Sequence, residues 1–183
     1  MAKKGKTLTN KITGEKITWM ETSADTNGSH ILFNFEVAPK GYVPVRHIHT
    51  SQNEHFEILS GSLRIELNGE TKNLKAGDKI IVPQGQPHQW WNDSADAAVK
   101  AKIRFEPALK TEIFFEQFFG LANDGKTKID GSPKFMQIMA MSNEYDIYIS
   151  GPPVLLQKIM SFVLGSIARL SGFKKYYKKY DDY

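Results

Sequence analysis

Three histidines and a glutamate, set in two glycine-bounded stretches, constrain this chain more than any other feature. The first stretch runs Gly41, five residues, His47-Ile48-His49, four residues, Glu54, six residues, Gly61. The second runs Gly77, five residues, Pro83-Gln84-Gly85, two residues, His88, three residues, Asn92. Side chains alternate between the faces of a β-strand, so His47 and His49 point the same way. The polar residues Thr50 to Asn53 allow a turn that returns Glu54 beside them, and a hairpin would make it their cross-strand neighbour. A short apolar strand, Ile80 to Val82, lies between Gly77 and the Pro83 to Pro87 cluster, and another begins at His88 and continues through Trp90 to Asn92.

Three imidazoles and one carboxylate suit a divalent transition metal. Imidazole favours zinc, iron, nickel or copper, and the carboxylate admits manganese. An octahedral ion held by His47, His49, Glu54 and His88 keeps two positions open, as a catalytic rather than a closed structural site requires. The other two histidines, His30 and His55, have no such partners in the sequence, and Glu57 falls on the face opposite Glu54.

The paired stretches resemble the signature of the cupin family, with no position departing from it. The approach Asn10-x-x-Thr13-Gly14-Glu15 and the run Glu54-x-Phe56-Glu57-Ile58-Leu59-x-Gly61 are also similar to small bacterial cupins likened to quercetin dioxygenases. The resemblance implies a single small barrel of six to eight strands, with the ligands on inner strands near one mouth, over roughly the first hundred residues.

The residue pattern agrees with an all-β unit, an antiparallel barrel or jelly roll over residues 1–108. Ile31, Phe33, Phe35 and Val37 alternate with polar neighbours, as do Leu63, Ile65 and Leu67 before Asn68-Gly69, and Val99, Ala101, Ile103 and Phe105. Phe56 and Ile58 share the face of Glu54, and Trp90 that of His88. With Phe33 and Phe35 from a neighbouring strand, they are the candidate lining of a dry pocket suited to a flat organic ligand. Arg46, Gln52 and Gln89 are candidates for polar contacts at its mouth or for plain surface positions.

Residues 109–183 change period. Thr111 to Leu121 reads as an amphipathic helix, Lys134 to Asn143 as a second, and Val154 to Leu170 as a third that begins after Pro152-Pro153. The third sets Gln157, Lys158, Ser161, Gly165 and Arg169 on one narrow stripe and leaves a broad apolar surface. The barrel flank, a second subunit in a homodimer, or a membrane interface beside the basic aromatic tail Phe173 to Tyr180 would have to cover it.

From Pro152 onward six basic residues face two acidic ones, a surplus equal to the formal charge of +4 on the whole chain. A barrel left neutral is no surface for nucleic acid, which needs clustered cations. Lys158 and Arg169 interrupt the apolar run, against a transmembrane span. No cysteine is present, which excludes disulfides and thiolate ligands. The first residues lack the apolar run of a signal peptide, so the cytoplasm is the default expectation.

The expected function is that of a mononuclear metal enzyme of dioxygenase type. Its partner is a small organic substrate that abuts the ion, and Glu54 has the added task of loosening to act as a base. A non-redox isomerase or lyase using the ion as Lewis acid, and a sensing module without turnover, are the alternatives.

Overall fold

The computed structural model describes residues 2–181, and places ten of their strands in two facing antiparallel sheets with a third, helical layer behind one end. The strands are β1 (Thr7–Asn10), β2 (Glu15–Glu21), β3 (Ile31–Val37), β4 (His47–Ile48), β5 (Asn53–Ser60), β6 (Ser62–Leu67), β7 (Glu70–Lys75), β8 (Lys79–Val82), β9 (His88–Trp91) and β10 (Val99–Glu106). One sheet has the order β1-β2-β3-β10-β5-β8, and the other contains β4-β9-β6-β7.

Alternation creates the interior. Ile31, Phe33, Phe35 and Val37 of β3 are buried, as are Val99, Ala101, Ile103 and Phe105 opposite them on β10. Phe33 is the hub of an aromatic cluster. Its ring centroid lies 5.3 Å from Trp19, 6.2 Å from Phe105 and 5.5 Å from Phe115. The Trp19 and Phe115 pairs are edge-on and the Phe105 pair is stacked, and both geometries add to the burial of large apolar side chains. The Asn68-Gly69 turn, with positive φ at both residues, joins β6 to β7 as its sequence predicts.

The glycine that closes the first motif stage is a close-approach position. Gly61 has φ of +78°, and a Cβ there would stand 2.8 Å from the Ala98 carbonyl oxygen. Gly41 is tighter still, since a Cβ would meet Val37 at 2.6 Å. Asn92 then ties the second motif to the first: its backbone N–H donates to the Gly41 carbonyl, and its side-chain amide donates to Val37, Ala38 and Ala97.

Three helices follow: α1 (Thr111–Asn123), α2 (Phe135–Met141) and α3 (Val154–Leu170). Glu112 in the first turn of α1 accepts from Ser23 N–H and hydroxyl, and Phe114, Phe115, Phe118 and Phe119 carry its apolar side into the barrel core. The segment between α2 and α3 is not purely connecting chain. Its residues Tyr148–Ile149 form an eleventh strand, β11, antiparallel to β4, so the extension completes the second sheet as β11-β4-β9-β6-β7.

The third helix packs opposite to the sense its composition suggests. Its buried residues are Ser161, Gly165 and Ala168, while Leu155, Leu156, Ile159, Phe162, Val163, Ile167 and Leu170 are exposed. Small residues permit the close approach to α2, where Ser161 donates to the Met139 carbonyl and a Cβ on Gly165 would lie 2.6 Å from that same oxygen. The barrel flank therefore does not cover the broad apolar face. No helix among the described residues is long and apolar enough to cross a membrane.

Candidate metal centre

The four expected residues come together inside the barrel. One candidate ligand atom from each of His47, His49, Glu54 and His88 lies within 4.8 Å of every other, and all four side chains are buried. Strand pairing explains two of them, because His47 and His88 are direct partners across β4 and β9. Glu54 arrives differently from the hairpin expectation. β4 and β5 belong to opposite sheets, so Glu54 faces the histidines across the interior rather than along a shared ladder. The four residues between His49 and Glu54 are enough to cross from one sheet to the other.

Each imidazole is oriented by a backbone carbonyl. Nδ1 of His47 donates to Val45 at 2.9 Å, Nδ1 of His49 to Asp146 at 2.8 Å, and Nδ1 of His88 to Gln86 at 3.2 Å. A neutral ring with its proton on Nδ1 presents an acceptor lone pair at Nε2. Outer contacts of this type fix the tautomer and aim of metal-binding histidines. Burial, reinforced by His88 and then His49, holds His47 well below the ordinary imidazole pKa; burial also lowers His49, with Glu54 opposing it.

That arrangement leaves acceptors facing acceptors. Nε2 of His88 stands 2.9 Å from Oε2 of Glu54, Nε2 of His49 stands 3.8 Å from the same oxygen, and Nε2 of His49 is buried without a hydrogen-bond partner. Lone pairs converging in a dry site need a cation or extra protons between them. An N₃O donor set of this softness fits a divalent transition ion.

A cavity of about 140 Å³ opens from His47, His49 and Glu54. Phe33, Phe35 and Trp90 line it, whereas Phe56 and Ile58 do not; their strand carries them beyond Glu54 into the packed core. Much of the remaining wall comes from beyond residue 108: Phe114, Phe115 and Phe118 of α1, Met141 of α2, and Tyr145 and Tyr148. Helical periodicity marks the α1 phenylalanines as an inward face, but nothing in the sequence says which end of the barrel they close.

None of the three polar candidates lines the cavity. Arg46 pairs with Glu66 at 2.9 Å, Gln89 donates to the Val43 carbonyl, and Gln52 clasps α1 to the barrel through Pro107, Ala108 and Thr111. His30 pairs with Glu21 and Glu57 with Lys79, both away from the centre.

Two further residues belong to the site: Glu15, which the sequence offers only inside Asn10-x-x-Thr13-Gly14-Glu15, and Asp146, which no motif marks. Glu15 is wholly buried on the cavity wall, where it accepts from the Thr13 hydroxyl at 2.5 Å. Burial, with the charge of Glu54 adding, pushes its pKa up to about 8 against the opposing Thr13 hydrogen bond. In the metal-free protein, burial therefore favours its protonated form at neutral pH. Asp146 contributes its carbonyl to His49 while its carboxylate binds the Thr50 hydroxyl and the backbone N–H groups of Thr50 and Ser51, pinning the turn between His49 and Glu54.

Residues 33–101 match the family model described as a cupin domain. An oxidoreductase of Arthrobotrys oligospora is 27% identical over 119 residues, covering 61% of this chain and 47% of its own length. A probable oxidoreductase of Aspergillus clavatus is 27% identical over 161 residues, covering 81% of this chain and 49% of its own. The chain thus spans about half the length of these curated relatives. Among solved structures, an RmlC-like cupin of Shewanella frigidimarina aligns over 58% of this chain and 87% of its own, with 15% identity and a TM-score of 0.49.

Proposed function

Because residues 33–101 are a cupin domain, we propose that the chain is a mononuclear metal-dependent oxidoreductase of dioxygenase type acting on a small, flat, largely apolar organic substrate. The observation that carries the reading is the convergence of three Nε2 lone pairs and one carboxylate at the end of an aromatic-lined cavity. His47, His49, Glu54 and His88 would hold the ion. When bound, such an ion supplies open coordination positions and, if it is iron or manganese, one-electron chemistry with oxygen. The oxidoreductase names of the two fungal relatives support the redox reading over isomerase or lyase chemistry.

The chain's own groups divide the remaining work. The rings of Phe33, Phe35, Trp90 and Phe115 exclude water and offer faces and edges to a planar ligand. Glu15, carrying its proton, donates a hydrogen bond to a carbonyl or enolic oxygen of a ligand in the cavity. Glu54, whose Oε2 faces His88 and His49, is the group placed to accept a substrate proton.

Metal analysis of protein purified without a chelating tag tests the premise. About one ion per chain is expected for the wild type and close to none for the His47→Ala/His88→Ala variant, since losing two of four ligands removes most of the affinity. Equal metal content in both would defeat the proposal. With the native ion identified, oxygen consumption in the presence of aromatic and enolic candidates tests the reaction class.

A further inference from the structure

We infer that α3 is an interfacial anchor that lays its exposed apolar face on an anionic lipid surface. At about 100° per residue, Phe162, Leu155, Ile159, Leu170, Val163, Leu156 and Ile167 follow one another around about 140° of the helix, with Ser166 among them. Phe162 is 77% exposed and Leu170 is 90% exposed. An apolar arc of this width is larger than scattered surface hydrophobics produce.

The arc faces away from the protein because the opposite side is fixed. Ser161, Gly165 and Ala168 sit against α2, Asn143 donates to the Lys158 carbonyl, and the Gln157 amide is bonded to both backbone groups of Ile149 on β11. A rotation that buried the arc would break these contacts and drive larger side chains against the Met139 carbonyl.

Charge selects the occupant. The helix carries no acid, Lys158 and Arg169 border the arc on one side, and Lys174, Lys175, Lys178 and Lys179 follow it. Of these, Lys175 pairs with Glu144 and Lys179 with Asp124. From Pro152 on, six cations stand against two acids, Asp181 and Asp182. Two copies joined through this face by a two-fold axis would bring like charges together. A bilayer presenting anionic headgroups takes the apolar arc at its acyl boundary and the cations at its surface, and exposed Tyr176 adds an aromatic for the headgroup layer.

The test is co-sedimentation of the full chain with phosphatidylcholine vesicles, with and without phosphatidylserine, at low and high salt. Binding to the serine-containing vesicles should exceed that to neutral ones by about tenfold or more and weaken with salt. Ile159→Ser/Phe162→Ser should lower it at least about tenfold. As both side chains are exposed, an unchanged thermal melt is expected; Lys174→Glu/Lys178→Glu tests the charge component without touching the helix. Absence of vesicle binding by the wild type, or full retention by the apolar variant, would overturn the inference. So would a wild-type dimer in sedimentation velocity that the apolar variant abolishes while no vesicle binding is seen.

Discussion

Glu54 and Glu15 line one cavity, and burial sets Glu15 apart by favouring its protonated form. A carboxyl whose native pKa rises from an ordinary 4.5 to about 8 keeps a proton that the unfolded chain releases. Its favourable contribution is full below about 4.5 and lost as pH climbs through about 8. The lowered histidines His47 and His49 act in the opposite sense over the same window, so the Glu15 contribution is read as a difference: in urea denaturation, metal-stripped wild type should lose a few kcal/mol relative to Glu15→Gln between those limits. Parallel pH profiles for the two proteins would remove Glu15 as a buried acid. The clustering of the four candidate ligands was legible in the sequence because strand alternation and motif spacing constrain them together. Glu15 was legible only as part of Asn10-x-x-Thr13-Gly14-Glu15, since burial depends on sheets assembled from distant segments. Asp146 was not legible at all: His49 is oriented by its carbonyl, which every residue possesses, and the Thr50–Ser51 turn that its carboxylate pins lies some 95 positions away.

Among the elements, strand alternation located most of the barrel correctly, and Val154–Leu170 was read with the ends the structure shows. The errors arose where sequence pattern is silent about partners. Crossing from β4 to β5 changes sheets although four polar residues would also make a hairpin turn, and β11 is two residues of an edge strand whose pairing comes entirely from β4. Of the three covers open to the apolar face of α3, the structure removes the barrel flank, because backbone approach at Gly165 puts the small residues on the packed side. Gly165→Ala would place a methyl 2.6 Å from the Met139 carbonyl oxygen, so the two helices must separate. A loss of about 1–3 kcal/mol in thermal or urea unfolding is expected. In α1, a Cβ on Gly120 would meet the Tyr180 ring at 2.4 Å, and Gly120→Ala should expose the tail to protease with little effect on bound metal. Tail cleavage no faster than in wild type would show that Tyr180 can reseat.

At the scale of the molecule, the helical layer and the barrel are interdependent. Residues 109–183 supply Phe114, Phe115, Tyr145 and Tyr148 to the cavity wall, a strand to the second sheet, and the carbonyl that orients His49. A chain ending at residue 108 retains all four candidate ligands, yet under the proposed function it should bind metal at least about tenfold more weakly than the full chain and should expose the Phe33 side of its core. Titration of both proteins with the native ion, alongside dye binding, measures this; equal affinities would mean that the barrel finishes its own site. The His49–Asp146 contact also has a temporal meaning. Because its two halves lie 97 positions apart, a nascent polypeptide emerging from the ribosome possesses all four candidate ligands long before it possesses the atom that aims one of them, and under the proposed function tight capture of an ion would await the later stages of synthesis.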